Sequence, residues 1–286
     1  MTASSRSRTT DGGRAAGFTL VELAVVMAIV GLLMAGLMFT LSAQMNQRNF
    51  EETRRRLDQA RELVLAFAVV NGRLPCPARS VAVATPATAL GYEVRDSATG
   101  NCTGDGVTDW YGGPIAANVT GGLLPARTLG SVEVDSDGFA IDAWGNRIRY
   151  AVAHLITNCS GTSTLPHFTY AANLKANGMS CQPNDLLVCK SGTGITGTSC
   201  GTAFGTSGEN QVMSTSLVVA IVYSTGKNGA TGGAGTDEAA NLNGDRIFVS
   251  HTPTDSSNAN GEFDDQVVWI TVGELYRRLT AAGVLP

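Results

Sequence analysis

Charged residues are scarce in this chain of 286 residues. They make up 15% of it, with 20 lysine and arginine residues against 24 aspartate and glutamate residues. The net charge of −4 leaves no basic excess to follow a phosphate backbone, so nucleic-acid binding is disfavoured. The scarcity is also uneven, because Glu22 is the sole charged residue between Arg14 and Arg48. Such a gap indicates contact with an apolar environment.

Several short motifs of catalytic and zinc sites are also missing. No H-x-x-x-H spacing, no P-loop and no C-x-x-C pair is present. We therefore predict that the chain is not an enzyme. The histidines His154, His167 and His251 are predicted to be surface or loop residues.

One long apolar run lies near the N-terminus. Residues 23–43 hold no charge and no proline, and a helix of that length crosses a ~30 Å hydrocarbon layer at ~1.5 Å per residue. Three arginines precede the run, and a basic flank stays on the cytoplasmic side. We predict a membrane span at about residues 20–43, with the bulk of the chain outside. The alternative is a secretory signal peptide, although the run is long for one and Leu41-Ser42-Ala43 is the nearest approach to a cleavage site.

Glu22 stands at the start of this run. A carboxylate there costs free energy unless it has a partner or reaches water at the interface. The residue alone leaves both interpretations open.

The residues around Glu22 carry a family resemblance. Gly17-Phe18-Thr19-Leu20-Val21-Glu22-Leu23 resembles the class III signal of type IV prepilins and pseudopilins, in which a basic leader ends in glycine and a glutamate follows an aromatic residue. The resemblance implies that a prepilin peptidase removes residues 1–17 and methylates the new amine of Phe18. It also implies that Glu22 pairs with the Phe18 amine of a neighbouring subunit and sets the register of a filament.

A helical pattern continues beyond the apolar run. One stripe recurs at spacings of three and four and comprises Phe50, Thr53, Leu57, Ala60, Val64 and Phe67. Glu51→Arg55 and Glu52→Arg56 are favourable pairs on such a helix. Asn71-Gly72 supplies a stop. We predict a long helix over residues 18–71, with its second half packed on a head of residues 72–286.

The head has a β-like pattern. Short apolar runs at residues 148–152, 217–223 and 267–270 are separated by clusters of glycine, asparagine, serine and threonine, and residues 272–279 predict a short helix. The resulting prediction is an α+β fold, and the resemblance makes it a type IV pilin fold with an antiparallel β-sheet head. Residues 158–212 are predicted to be an insertion, and residues 191–210 within it are predicted to be an exposed loop or a hairpin.

All cysteines follow the predicted span. They are Cys76, Cys102, Cys159, Cys181, Cys189 and Cys200. An even number on the outer side of a membrane favours disulfides over zinc ligation. Short loops favour the pairs Cys76–Cys102, Cys159–Cys181 and Cys189–Cys200, although spacing does not exclude other pairings.

Three groups of carboxylates are candidate calcium ligands. They are Asp135 with Asp137, Asp245, and Asp264 with Asp265. The alternative for each group is a turn in which the side chain caps the backbone.

Two segments of the head resemble the major pseudopilins of type II secretion. Residues 142–150, Asp-Ala-Trp-Gly-Asn-Arg-Ile-Arg-Tyr, are similar to their D-P-W-G-x-P-Y-x-Y segment. Residues 224–233 and 264–269 resemble their C-terminal calcium loop, which implies a calcium site at Asp264 and Asp265. The chain departs from this pattern in two ways. Asn228 stands where the loop has its first aspartate, and more than 30 residues separate Gly233 from Asp264.

These observations predict a structural subunit of a type IV pilus or of a type II secretion pseudopilus, and a minor one because the head is large. The implied partners are the prepilin peptidase, other pilins, the inner-membrane assembly platform and, before assembly, membrane lipid. The implied location is the bacterial inner membrane, with the N-terminus cytoplasmic and the head periplasmic, and then the filament. The alternative is a periplasmic binding or enzymatic domain held by a plain single-pass anchor.

Overall fold

The computed structural model describes residues 17, 19–116, 119–131, 133–155, 165–201, 209–233 and 235–285. The predicted leader before Gly17, and Phe18 itself, lie outside the described residues. The chain divides into two compact units, Met1–Arg48 and Asn49–Pro286.

Helix α1 covers Leu20–Asn71. It ends because Gly72 takes up a left-handed conformation with φ +64°, which favours glycine, and because its amide donates to the carbonyl of Ala68 at 2.8 Å. The predicted stop at Asn71-Gly72 is therefore confirmed.

The remaining elements lie in the second unit. The strands are β1 Val83–Ala84, β2 Ala87–Thr88, β3 Thr103–Gly104, β4 Val107–Thr108, β5 Gly113–Ala116, β6 Val119–Gly121, β7 Arg149–Val152, β8 Leu187–Cys189, β9 Gln211–Met213, β10 Val218–Ser224, β11 Ile247–Val249 and β12 Gln266–Thr271. The helices are α2 Ala126–Leu129, α3 Ala171–Asn177, α4 Thr236–Leu242 and α5 Val272–Ala281, and 3-10 turns cover Gly178–Ser180 and Gly229–Thr231. The unit is thus a mixture of helices and sheets.

The main sheet is antiparallel, in the order β12-β10-β7. Ile221 in its central strand pairs with Trp269 on one side and with Ala151 on the other. All seven residues of β10 are buried, which explains why this strand is a continuous apolar run. The three strands predicted from the sequence and the helix after them are confirmed as β7, β10, β12 and α5.

A second sheet corrects the prediction of a wholly antiparallel head. Its order is β11-β8-β9, and β11 pairs with β8 in parallel, with Ile247 opposite Leu187 and Val249 opposite Cys189. The chain between these two strands includes β9, β10 and α4, and this long crossover is what a parallel pair requires.

The second half of α1 packs into the core of the head. Within the predicted stripe, Leu57 and Val64 are fully buried and Thr53 receives a hydrogen bond from the Ala143 amide at 3.1 Å. Of the predicted ion pairs, Glu52 does contact Arg56 at 2.9 Å, while Arg55 contacts Glu52 at 2.7 Å. The stripe is therefore the face that joins α1 to the sheet, as predicted.

Two of the predicted disulfides are present, Cys76–Cys102 and Cys189–Cys200. They close loops with sequence separations of 26 and 11 residues. The third predicted pair involves Cys159, which lies outside the described residues, so Cys159–Cys181 stays a prediction.

Candidate functional site

The described N-terminal end of α1 is a capping box. The carboxylate of Glu22 accepts hydrogen bonds from the amide and the hydroxyl of Thr19, both at 3.0 Å. The hydroxyl of Thr19 in turn accepts the Glu22 amide at 3.2 Å. Thr19 and Glu22 thereby satisfy backbone donors at the start of the helix. Glu22 thus has a role within its own chain, in addition to the two interpretations that the sequence leaves open.

Large apolar side chains follow Glu22 on α1 and are exposed in the single chain. Met27, Leu32 and Leu33 expose 65%, 78% and 61% of their surface. Among the described residues, no helix combines the length and the apolarity that a membrane crossing requires.

A cluster of three buried carboxylates lies in the head. It comprises Glu238 in α4 with Asp264 and Asp265, which immediately precede β12. One oxygen of each residue lies within 4.8 Å of those of the other two. Asp264 and Asp265 are each 4% exposed, and Glu238 is fully buried. The sequence predicted the two aspartates but not Glu238. The only pattern that could have indicated Glu238 is the presence of an acid in the first turn of a short helix.

Backbone contacts close the chain around this cluster. The amide of Thr236 donates to the carbonyl of Asn260 at 2.8 Å, so residues 236–260 leave the site and return to it. The amide of Asp264 then donates to Glu238 at 3.1 Å. The separation of more than 30 residues between the loop glycines and Asp264 is therefore no obstacle to a common site.

The loop of residues 225–233 approaches the carboxylates closely. A Cβ atom on Gly226 would lie 1.8 Å from Oδ1 of Asp264, and one on Gly233 would lie 2.7 Å from Oε2 of Glu238. Both glycines also have positive φ, +61° and +67°. Only glycine allows the backbone to approach the acids in this way.

The hydrogen bonds around the cluster are incomplete. The side-chain nitrogen of Asn228 donates to the two carboxylate oxygens of Glu238 at 2.9 and 3.0 Å. The side-chain nitrogen of Asn241 donates to the Asp265 carboxylate at 2.7 Å. In contrast, neither carboxylate oxygen of Asp264 has a hydrogen-bond partner within the described residues, and the side-chain oxygen of Asn228 also lacks one. Buried oxygens of this kind are costly unless some donor or cation reaches them.

Burial raises the pKa of both aspartates. The pKa of Asp264 rises to about 6, first because it is desolvated and then because Glu238 is near. The pKa of Asp265 rises to about 8, again chiefly through burial, although the hydrogen bond from Asn241 opposes the rise. In a protein without a cation, Asp265 therefore retains its proton near neutral pH.

These residues fit the calcium ion that the pseudopilin resemblance implies. The donor set consists of carboxylate and amide oxygens, which hard divalent cations prefer. Asp264 and Asp265 would hold the ion, and the oxygens of Asp264 that lack partners would gain one. The ion would supply structural cross-linking rather than catalysis.

Comparison with known proteins bears on the N-terminal segment. Residues 13–38 match the family model of the prokaryotic N-terminal methylation motif. The chain carries a type IV pilin-like prepilin signal. No curated protein and no solved structure matches the chain.

The prepilin signal includes both Gly17 and Glu22, so the capping box lies inside it. A class III signal implies processing by a prepilin peptidase and assembly with other pilins. The exposed apolar side chains of α1 that follow Glu22 belong in part to the same signal.

The two head segments that resemble pseudopilins meet in space. The carboxylate of Asp142 accepts the hydroxyl of Ser224 at 2.6 Å, and the side chain of Asn146 donates to the carbonyl of Gly226 at 2.6 Å. Asp142 also accepts the amides of Trp144 and Asn146. The turn of residues 142–146 therefore supports the loop that borders the carboxylate cluster.

The other predicted carboxylate groups are turns. Asp135 accepts the amides of Asp137 and Phe139, and it forms an ion pair with Arg147 at 2.7 Å. Asp245 accepts the amide of Ile247 at 2.7 Å. Their oxygens are used by the chain itself, so the turn interpretation is correct for both groups.

All three histidines lie in loops, as predicted, although His167 is buried. His167 is 1% exposed, its Nε2 lies 3.1 Å from the hydroxyl of Tyr276, and burial lowers its pKa to about 4. His251 is half-buried and contacts Asp237 at 3.1 Å. Asp237 in turn accepts the hydroxyl of Ser191 at 3.2 Å. The serine is bonded to the carboxylate and not to the imidazole, so this group is not a nucleophile with its general base.

One further pattern deserves comparison with hydrolases, because Gly197-Thr198-Ser199-Cys200-Gly201 reads G-x-S-x-G. A nucleophile of that motif stands between a strand and a helix. Ser199 instead lies in a turn that pairs with Thr196, and its hydroxyl is 2.9 Å from that of Thr196. Its neighbour Cys200 is held in a disulfide. The segment is a disulfide-bonded hairpin turn.

Proposed function

We propose that this chain is a structural subunit of a type IV pilus or of a pilus-like secretion filament. A prepilin peptidase cleaves it between Gly17 and Phe18, and it polymerises through α1 with the head facing outward. The match of residues 13–38 to the methylation motif supports this proposal most strongly. The exposed apolar side chains of α1 supply the surface that a membrane and then neighbouring helices would cover.

We also propose the finer points of this role. Before assembly the chain is anchored in the inner membrane by the segment of about residues 20–43, with its head periplasmic. It is a minor pilin or pseudopilin, since a head of residues 72–286 is large for the bulk subunit of a filament. Its partners are other pilins and the inner-membrane assembly platform.

Mass spectrometry of the protein purified from its native membrane tests the processing step. The expected N-terminal peptide begins at Phe18 and carries one methyl group on its amine. A peptide that begins at Met1 would contradict the proposal and leave a tethered extracytoplasmic domain. A peptide that begins near Gln44 would contradict it by showing that residues before it are a cleaved signal peptide.

We further propose that the head binds calcium at Asp264 and Asp265. The two oxygens of Asp264 that lack partners support this site. Ligand at about 100 times its Kd stabilises a protein by about 2.7 kcal/mol. For a chain of this size we therefore expect calcium to raise the thermal midpoint of the full chain in detergent by roughly 5–10 °C relative to a chelator. Equal midpoints in calcium and in chelator, in the wild type, would count against the site.

A further inference from the structure

Glu238 is a fully buried acid. Neither the proposed role in a filament nor the resemblance to the calcium loop of the pseudopilins explains why an acid is buried at this position. Glu238 lies in the first turn of α4, a helix within the excursion of residues 236–260. Its carboxylate accepts the side-chain amide of Asn228 and the backbone amide of Asp264. These two contacts aim Glu238 at the aspartates rather than at solvent.

Because residue 228 is an asparagine and not an aspartate, the loop of residues 225–233 lacks one acidic ligand, and another segment of the chain has to supply it. Asn228 stands where the calcium loop of the pseudopilins has an aspartate. Its side-chain amide donates to both carboxylate oxygens of Glu238. Its own Oδ1 is buried and has no partner within the described residues. Asn228 therefore positions an acid instead of supplying one, and it leaves a neutral oxygen beside the cluster.

The unsatisfied oxygens are an independent observation that points to a cation. Asp264 is 4% exposed, and neither of its oxygens receives a hydrogen bond within the described part of the chain. The backbone amides of Lys227 and Asn228 are near enough to lower the pKa of Asp264, but neither forms a hydrogen bond with its oxygens. The three carboxylates, together with the unpartnered side-chain oxygen of Asn228, supply the oxygen ligands that calcium prefers.

We propose that Glu238 is the third acidic ligand of the calcium site, replacing the acid that the loop lacks at Asn228. This inference rests on the calcium site proposed at Asp264 and Asp265. The ion then joins three separate segments, namely the loop of residues 225–233, α4 and the start of β12.

The same ion ties the second sheet to the main sheet. Asp237, next to Glu238, accepts the amide of Gly192 and the hydroxyl of Ser191, which follow β8. Asp265, on the other side of the site, leads directly into β12 of the main sheet. Calcium held between Glu238 and Asp265 therefore stabilises the contact between the two sheets.

Calorimetric titration of the full chain with calcium in detergent tests the role of Glu238. Glu238→Gln keeps an oxygen for the Asp264 amide and removes the charge, and we expect it to weaken calcium binding at least about tenfold. Glu262→Gln is the matched control, because Glu262 is a nearby acid whose charge raises the pKa of Asp264 but which is not a member of the cluster. The control should bind within about twofold of the wild type.

Thermal unfolding in chelator separates ligation from a purely structural role. A ligand carboxylate that lacks its cation repels Asp264 and Asp265, so Glu238→Gln should unfold at the wild-type temperature or above it in chelator and lose only the stabilisation by calcium. A variant that is less stable than the wild type to the same degree with and without calcium would overturn the proposal. Equal calcium affinity in Glu238→Gln and Glu262→Gln would overturn it as well.

The calcium affinities of the wild type and of Glu238→Gln distinguish a wrong assignment of Glu238 from the absence of a calcium site. If the wild type shows no heat of calcium binding, the site at Asp264 and Asp265 fails, and the assignment of Glu238 fails with it. If the wild type binds calcium and Glu238→Gln binds it equally well, the assignment of Glu238 alone is wrong. Neither result bears on processing at Gly17.

Discussion

Glu22→Gln is expected to lower incorporation of the chain into filaments at least about a hundredfold while its amount in the membrane stays unchanged. In the proposed filament the Glu22 carboxylate neutralises the methylated amine of Phe18 in a neighbouring subunit. Leaving one partner of such a pair buried without its counter-charge costs about 3–5 kcal/mol, and about 1.4 kcal/mol corresponds to a factor of ten. Quantitative immunoblots of sheared filaments and of membranes from the same cells measure both amounts.

The capping box makes glutamine the informative substitution. Glutamine at position 22 can still accept the hydrogen bonds that Thr19 donates to Glu22, so the start of the helix is preserved and only the charge is lost. Alanine would remove both, and its effect would mix a defect in capping with a defect in assembly.

Thr19→Val is the complementary variant, because it removes the hydroxyl that contacts Glu22 and leaves the carboxylate in place. Loss of a cap costs about 1 kcal/mol, so we expect incorporation to fall no more than about tenfold. If Glu22→Gln assembles as well as the wild type, or if Thr19→Val is the more severe of the two, the glutamate acts as a cap and does not set register.

Local patterns in the sequence were sufficient for the elements that touch the main core. The runs that became β7, β10 and β12 are apolar because both faces of the central strand are buried, and this property is visible residue by residue. The stripe with Leu57 and Val64 was likewise visible in the periodicity of α1. The class III signal is also local, since all its features fall within a few consecutive residues.

Contacts between distant segments could not be predicted in the same way. The parallel pairing of β8 with β11 depends on a crossover that contains other strands, and no periodicity reports it. Glu238 joins the aspartates only because Thr236 and Asn260 close the excursion between them. In the sequence Glu238 is one acid among many, and burial alone distinguishes it.

The predicted exposed loop of about residues 191–210 shows the same limit. Its composition of glycine, serine and threonine is typical of loops, yet Asn210 is fully buried and donates to the carbonyls of Ser191 and Cys200. A short polar side chain can satisfy backbone carbonyls inside a folded loop, and composition does not distinguish that role from exposure.

In a chelator, the thermal midpoint of the full chain is expected to fall by roughly 4–8 °C as the pH rises from about 6.5 to about 8. Asp264 and Asp265 have ordinary pKa values of 3.8, and in the folded chain these rise to about 6 and about 8. Between the unfolded and folded values the native state binds more protons than the unfolded state, so the free energy of unfolding decreases with pH in that window and levels off above it. At about 1.4 kcal/mol per unit, the roughly 1.5 pH units of this window correspond to about 2 kcal/mol, chiefly from Asp265. Below about pH 6.5 the buried His167, whose pKa is lowered to about 4, changes the stability in the opposite direction.

The variant Asp265→Asn shows how much of this decrease in stability with rising pH is caused by the carboxylate cluster. The groups that face Asp265 include Glu238 and Asp264, which raise its pKa, and Asn241 and Arg149, which lower it. Asparagine carries no titrating proton, so the variant should lose most of the decrease between about pH 6.5 and pH 8. A slope that is equal in the variant and in the wild type would place its origin in other groups.

Calcium reverses the direction, because the ion binds the ionised carboxylates and each proton that it displaces weakens binding about tenfold per unit of falling pH. From pH 8 to pH 6 we expect calcium binding to weaken about a hundredfold, since Asp265 is largely protonated over that range. Calorimetry at pH 7 in buffers of different ionisation enthalpy counts the protons released, and the expected count is about one per calcium ion. A count near zero would show that both aspartates are already ionised in the folded chain, and the incomplete hydrogen bonding of Asp264 would then need a donor other than the cation.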